Sequence, residues 1–255
     1  MLDHKPLILV TNDDGVQAPG IVALFAAMQA IGQAVMIAPE QDASASSHSL
    51  TMKRPLRVRQ LSPEAYAIDG TPTDCVTIGI KKVLPQKPDL VVSGINPGPN
   101  LGDDINYSGT VAAAKEGTLL GVPSFAISLV APNGTVRFEA AARFAAQLAT
   151  TILTKGLPKD TLFNVNVPDL PVAELRGGRF TRQGRRLYDD AIKETFDPWG
   201  NRHYWIGGGT PYLDEGPDTD AQAVLAGAIS VTPLHIDLTN HEALARLRSE
   251  WPLTS

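Results

Sequence analysis

The sequence predicts an α/β fold: a Rossmann-like, mostly parallel sheet core with helices packed on it and a C-terminal extension. Three observations support this. Short apolar runs ending in Gly, Pro or Asn recur through the first two thirds of the 255 residues, as strands buried on both faces require. Segments with apolar residues at helical spacing alternate with them, which calls for crossover helices. Apolar residues make up 43% and charged residues 19%, a balance that suits a globular core and argues against disorder.

The first strand is Leu7-Ile8-Leu9-Val10, cut short at Gly15. Ile21 to Ala30 reads as a helix ending at Gly32, and Ala34 to Ala38 as a second buried strand. Thr73 to Leu84 reads as a helix, with Thr71 or Thr73 as its N-cap and Asp74 in its first turn. Leu90 to Ser93 is a strand running into the Gly/Pro/Asn loop Gly94 to Gly102. A helix from Val111 to Leu120, a strand from Ser124 to Ser128, an Ala-rich helix from Phe138 to Leu153 and a strand from Leu162 to Val167 follow. Together these make about five βα units. Near Pro168 the character changes. Arg176, Arg179, Arg182, Arg185 and Arg186 suggest a solvated or subunit-facing stripe, with steering of anions as the lesser alternative. Tyr188 to Trp205 reads as a hairpin turning at Asp197 to Gly200. The glycines 207–209 and Asp214 to Asp220 read as loops, Ile229 to Thr232 as a late strand and Glu242 to Trp251 as a terminal helix. The expected division is a catalytic core over residues 1–183 and an extension over 184–255.

A net charge of −5 gives no footprint for a nucleic-acid polymer or an anionic membrane. Cys75 is the single cysteine, so no intrachain disulfide is expected. The amino terminus lacks the order of a signal peptide, and no apolar stretch approaches spanning length. The expectation is a soluble, cytoplasmic protein.

Three loops follow predicted strands and would meet at one edge of the sheet, where ligands of open α/β folds bind. After the first strand come Asn12, Asp13 and Asp14. Two adjacent carboxylates repel unless a cation joins them, although a solvated Asn-Asp-Asp-Gly turn is an equal reading of the segment alone. After the second strand, residues 39–51 carry Ser44, Ser46, Ser47, His48 and Ser49, and a solvated loop or a surface histidine is the plainer reading there. The third loop holds Asn96, whose amide suits a metal or a phosphate. Beyond it, Ser108-Gly109-Thr110 opens a helix, which is either an ordinary N-cap or an anion site. Their convergence favours metal-assisted phosphoryl transfer to water.

With these residues set out, the chain resembles the SurE family, metal-dependent 5'/3'-nucleotidases also called stationary-phase survival phosphatases. The resemblance runs through Val10 to Gly15, Ala38-Pro39 with Ser49-Leu50-Thr51, and Gly70 to Val76. It continues through Ser93 to Asn96, Tyr107 to Val111 and Ser230 to Leu234. It implies hydrolysis of nucleoside 5'- and 3'-monophosphates, with short polyphosphate as a further substrate. It also implies one divalent metal ion, Mn²⁺ or Mg²⁺ with Co²⁺ as a third candidate, bound by Asp13, Asp14, Ser44 and Asn96. Asp13, Asp14 and Asn96 would be catalytic. Asn96, Ser108, Gly109 and Thr110 would hold the substrate phosphate. The family's carboxy-terminal segments exchange between subunits, which implies a homodimer or homotetramer. Ala43, Ala45, Pro97 and Lys115 depart from the family pattern without removing a ligand. The alternatives are a nucleotide- or metal-binding module without turnover, and an aspartyl-phosphate phosphatase, for which Asn12 stands at the wrong position.

Overall fold

An apolar run without alternation has no face to give to water, and all five residues of β1 (Leu7–Thr11) are buried. The computed structural model describes residues 5–131, 136–189, 192–207 and 210–251. After β1, helix α1 (Pro19–Gln29) starts on a proline, whose missing N–H costs nothing in a first turn, and lays Ile21, Leu24 and Met28 on the sheet. Next come β2 (Gln33–Pro39), β3 (Val58–Ser62) and β4 (Ala65–Ile68). Helix α2 (Pro72–Ile78) is opened by a reciprocal cap: the Thr71 side chain accepts from Asp74 N–H, and the Asp74 carboxylate accepts from Thr71 N–H. A π-helical turn, Gly79–Val83, completes the segment read from sequence as one helix. Then follow β5 (Leu90–Asn96), a 3₁₀ turn at Gly102–Asn106, α3 (Gly109–Leu119), β6 (Ser124–Val130), α4 (Glu139–Lys155) and β7 (Thr161–Pro168).

The remaining elements are β8 (Gly178–Phe180), β9 (Arg186–Asp189), β10 (Ile192–Phe196), β11 (Arg202–Ile206), β12 (Thr210–Leu213), α5 (Asp220–Leu225), β13 (Ile229–His235) and α6 (His241–Glu250). Nine strands form one sheet in the order β3-β4-β2-β1-β5-β6-β7-β13-β8. Its pairs are parallel except β3 with β4 and β13 with β7. The chain leaves β1 toward β2 on one side and returns to β5 on the other, so the carboxyl ends of β1 and β5 flank a switch point where a crevice opens. One cluster, with Ile8, Val10, Leu24, Ile127 and Val165, packs beneath α1 and α4. Another, with Leu9, Ile37, Ile68 and Val76, packs beneath α2.

The α/β class and the long parallel strands match the expectation. β13, which falls within the extension expected over 184–255, lies inside the main sheet between β7 and β8. The hairpin at Asp197–Gly200 is present as β10 and β11, with Asp197 accepting from Trp199 N–H and Asn201 N–H. Residues 190–191 of that call, 208–209 of the glycine loop and 1–4 at the amino terminus lie outside the described residues. Arg176, Arg179, Arg182 and Arg185 are exposed, as a solvated stripe requires, and three of the five arginines are also ion-paired. Arg182 pairs with Asp214 and Asp218, Arg185 with Asp103, and Arg186 with Asp104. No helix among the described residues is long and apolar enough to cross a membrane.

Candidate active site

The turn after β1 and the turn after β2 are stitched together. Asn12 Nδ2 donates to the Gly15 carbonyl at 2.9 Å, Val16 N–H to Pro39 at 2.8 Å, and Ala43 N–H to the Asp13 carbonyl at 2.8 Å. Gly15 has φ of +101°, and a Cβ there would lie 3.3 Å from the Gln41 carbonyl carbon, so the loop after β2 passes over a position that needs glycine.

Asp13 is buried at the start of α3. The Thr110 hydroxyl donates to Asp13 Oδ1 at 2.6 Å. Burial raises the Asp13 pKa above the usual carboxylate range, against the pull of the Thr110 hydroxyl and backbone amide. Asp14 is pushed up to about 7, first by burial and then by the charges of Asp13 and Asp42. Its Oδ2 is buried with no hydrogen-bond partner. Such a group is raised in the folded chain and ordinary in the unfolded one. Its favourable contribution is therefore complete below about pH 4 and is lost as pH rises through about 7. The metal-stripped protein is expected to unfold at a lower temperature at pH 8 than at pH 5, and Asp14→Asn is expected to flatten that difference. Thermal unfolding at the two pH values checks it, and an equally steep dependence in the variant would contradict it.

Of the other residues expected from sequence, Gly109 and Thr110 lie against Asp13. Ser44 is exposed. Its hydroxyl donates to Asp42 Oδ1 at 2.5 Å, a bond that commits its proton and leaves oxygen lone pairs for a cation. Asn96 ends β5, and its Nδ2 donates to the Gly98 carbonyl at 2.8 Å, so the oxygen is the end of the amide outside that bond. Ser108 caps α3 by accepting from Val111 N–H at 3.1 Å, which leaves its own proton for a donor contact. The Thr110 proton is committed to Asp13. Gly109 has no room for a side chain, since a Cβ would lie 2.8 Å from Asp13 Cβ and 2.9 Å from Ser46 Oγ. Loop, carboxylate and helix start are thus in contact.

Sequence reasoning missed Asp42 and Glu116, and read Ser46 and His48 more plainly as members of a solvated loop. Asp42 adds its charge to Asp13 and Asp14. Ser46, not Ser44, has its hydroxyl buried against the helix start, with no hydrogen-bond partner. His48 Nε2 lies 2.9 Å from Glu116 Oε2 while Thr77 donates to Glu116 Oε1 at 2.8 Å, which ties the serine loop to α3. The Glu116 carboxyl is held below its usual range chiefly by that histidine. A charged residue in a polar loop carries no sequence signal for such a contact; the run of hydroxyls around Ser46 was the one available hint.

Among the described residues no three of His, Cys, Asp and Glu converge as a metal-binding group. A cation here would rest on two carboxylates and neutral oxygens, and the unpartnered buried Asp14 oxygen beside two further negative charges fits such a group. Paired carboxylates at a switch point, in contact with a helix start, define a Rossmann-like α/β protein with an acidic crevice at the carboxyl edge of its sheet. Comparison with known proteins is specific. Residues 8–190 match the family model described as survival protein SurE. The chain is 53% identical over 248 residues to the 5'-nucleotidase SurE of Geobacter sulfurreducens, covering 97% of this chain and 94% of that protein. It is 51% identical over 247 residues to that of Geotalea uraniireducens, covering 97% and 99%. The crystal structure of the SurE protein from Aquifex aeolicus superposes with a TM-score of 0.85 at 42% identity, covering 97% of this chain and all of that one. The chain belongs to the SurE family.

Proposed function

We propose that the chain is a metal-dependent phosphomonoesterase that hydrolyses nucleoside 5'-monophosphates to nucleoside and phosphate, with 3'-monophosphates and short polyphosphate as further substrates. The observation that carries this reading is the 2.6 Å bond between Thr110 and Asp13, which brings a carboxylate pair against the start of α3. Its relatives bear the name 5'-nucleotidase. Asp13, Asp14, Ser44 and Asn96 would hold the cation, Mn²⁺ or Mg²⁺ with Co²⁺ as an alternative, since all-oxygen donors suit hard ions. When bound, the ion supplies neutralisation of phosphate charge and activation of water.

The chain's own groups do the rest. Thr110 fixes the Asp13 carboxylate, and the bond to Gly98 fixes the Asn96 amide. The first amides of α3 carry the partial positive charge of a helix start, so a phosphate beside Ser108 and Gly109 would meet the Gly109 amide and the free Ser108 proton, while the Thr110 hydroxyl and amide hold Asp13. These donors stabilise charge on the phosphoryl group as the ester bond breaks. A pocket of about 380 Å³ beside Ser108, lined also by His48, Asn106, Lys115, Gln183 and Leu234, offers room for the nucleoside. The test is a screen of the metal-stripped chain against nucleotides, polyphosphate and an aryl phosphate with each metal added separately. Release of phosphate from nucleotides with one of the metals is expected, and none with any metal would refute the reading.

The hairpin and terminal helix expose Phe196, Trp199, Trp205, Ile206 and Trp251, an apolar surface that suits a partner copy. A homodimer or homotetramer is expected, and deleting the chain beyond Leu238 is expected to lower its mass by light scattering. That cut spares β13, which the sheet needs. Unchanged mass would show that α6 does not hold the assembly.

A further inference from the structure

Asp220 lies far from Asp13 in sequence and touches none of the proposed ligands, yet its carboxylate is fully buried and joins three separate segments. Oδ2 accepts from Gly102 N–H at 2.8 Å. Oδ1 accepts from Gly184 N–H at 3.0 Å and from Ala221 N–H at 2.8 Å. Gly102 begins the 3₁₀ turn that leads directly into Ser108-Gly109-Thr110. Its carbonyl is taken by Gln183 Nε2 at 3.0 Å, so both polar groups of this one peptide position are held by the carboxy-terminal third of the chain. Gly102 has φ of +53°, and a Cβ there would lie 2.9 Å from Arg186 Cβ and 3.0 Å from Arg186 N, so the two segments are in backbone contact.

Asp220 is itself held in place. Its N–H donates to the Arg182 carbonyl at 3.0 Å, and Arg182 N–H donates to the Asp218 carbonyl at 3.0 Å. Two residues ahead of Gly102, the same loop is pinned from the sheet. Asn100 N–H donates to Asn166 Oδ1 at 2.9 Å, its Nδ2 to Ser128 Oγ at 2.7 Å, and its carbonyl accepts from Asn164 and Asn166 at 2.8 and 2.9 Å. The loop between Asn96 and Ser108 is therefore clamped from two sides, by buried amides of the sheet and by one buried carboxylate of the tail.

We propose that Asp220 is a positioning residue for the phosphate site: it fixes the height of the Gly102–Asn106 turn and hence the placement of the Ser108-Gly109-Thr110 amides relative to Asn96 and Asp13. The inference rests on the phosphate-site reading above. A carboxylate suits the task because it is acceptor-only and takes several N–H donors at once, which an asparagine amide cannot match. Loss of one such charged contact changes an affinity by at least ~10-fold.

The test uses the full-length chain and inorganic phosphate as the probe, read as its inhibition constant against hydrolysis of an aryl phosphate. Mn²⁺ affinity and thermal unfolding are measured in parallel. In Asp220→Asn the phosphate inhibition constant and the KM are expected to rise at least ~10-fold, with Mn²⁺ affinity within about twofold of wild type. A merely structural residue would lower the folded fraction and apparent kcat and leave both constants unchanged; that outcome overturns the proposal. Gln183→Ala removes the bond to the Gly102 carbonyl and also a side chain of the pocket offered to the nucleoside, and with inorganic phosphate as the probe, which has no nucleoside, it covers the case in which Asp220→Asn does not fold. It is expected to raise the same constant by ~3-fold or more, and an unchanged constant counts against the clamp. A wild type that phosphate does not inhibit refutes the phosphate site itself and takes this inference with it, whereas inhibition of wild type and variants alike refutes Asp220 alone.

Discussion

Asp13→Asn and Asp14→Asn are each expected to lower nucleotide hydrolysis at saturating substrate by at least ~100-fold, the scale of losing a principal electrostatic group. The two variants should differ in stability. Asparagine at position 13 can still accept the Thr110 hydroxyl through its carbonyl oxygen, so its fold is expected to change little. At position 14 the substitution removes a buried charge that stands against Asp13 and Asp42 and has no hydrogen bond at Oδ2. Asp14→Asn should therefore unfold at a higher temperature than the metal-stripped wild type at pH 8 while losing activity. Gain of stability with loss of rate is the signature of a charge retained for function rather than for folding. Rate measurements within tenfold of wild type in both variants would contradict the assignment.

Gly109→Ala is expected to cost ~100-fold in rate, the order that a misplacement of about 1 Å produces at a reacting centre. Alanine is a better helix former than glycine, so the helix itself loses nothing. The added methyl would lie 2.8 Å from Asp13 Cβ and 2.9 Å from Ser46 Oγ, and the Asp13 contact is close to the backbone, where little can swing aside. The variant should unfold below the wild-type temperature, since overpacking costs about 1–3 kcal/mol, and be impaired in phosphate affinity and rate together. Activity within about threefold of wild type would show that the mouth of α3 has slack that these distances exclude.

What could be read from sequence follows from how each element is held. β1, β2, β5 and β6 are largely apolar runs buried on both faces, and their composition marks them, while β7 alternates Leu162, Phe163, Val165 and Val167 with the buried Asn164 and Asn166. The hairpin β3–β4 carries Arg59, Gln60 and Ser62 at the sheet edge, and its apolar stretch Ala65–Ile68 is only four residues long, so it gave no distinct signal. β8 is three exposed residues, defined only by pairing with β13. β13 was visible as a strand, but its place beside β7 depends on a connection of about sixty residues that no local pattern encodes. At the site, Asp13, Asp14, Asn96 and Ser108 to Thr110 stand where strands end or a helix begins, positions that periodicity can locate. The direction of the Thr110 hydroxyl, toward Asp13, comes from packing between segments 97 residues apart. The role of Asp220 is likewise tertiary. Its three N–H donors come from two distant loops and its own helix, and in sequence it is one carboxylate in a loop-like stretch.

The central claim is that the carboxylate pair holds one divalent cation on which hydrolysis depends. It is tested most directly by titrating Mn²⁺ into the metal-stripped full-length chain, following bound metal by electron paramagnetic resonance and nucleotide hydrolysis in the same samples. The expected result is one bound ion per chain, hydrolysis rising in proportion to occupancy, and neither in Asp14→Asn. Full hydrolysis in excess chelator, with no bound metal, would contradict it.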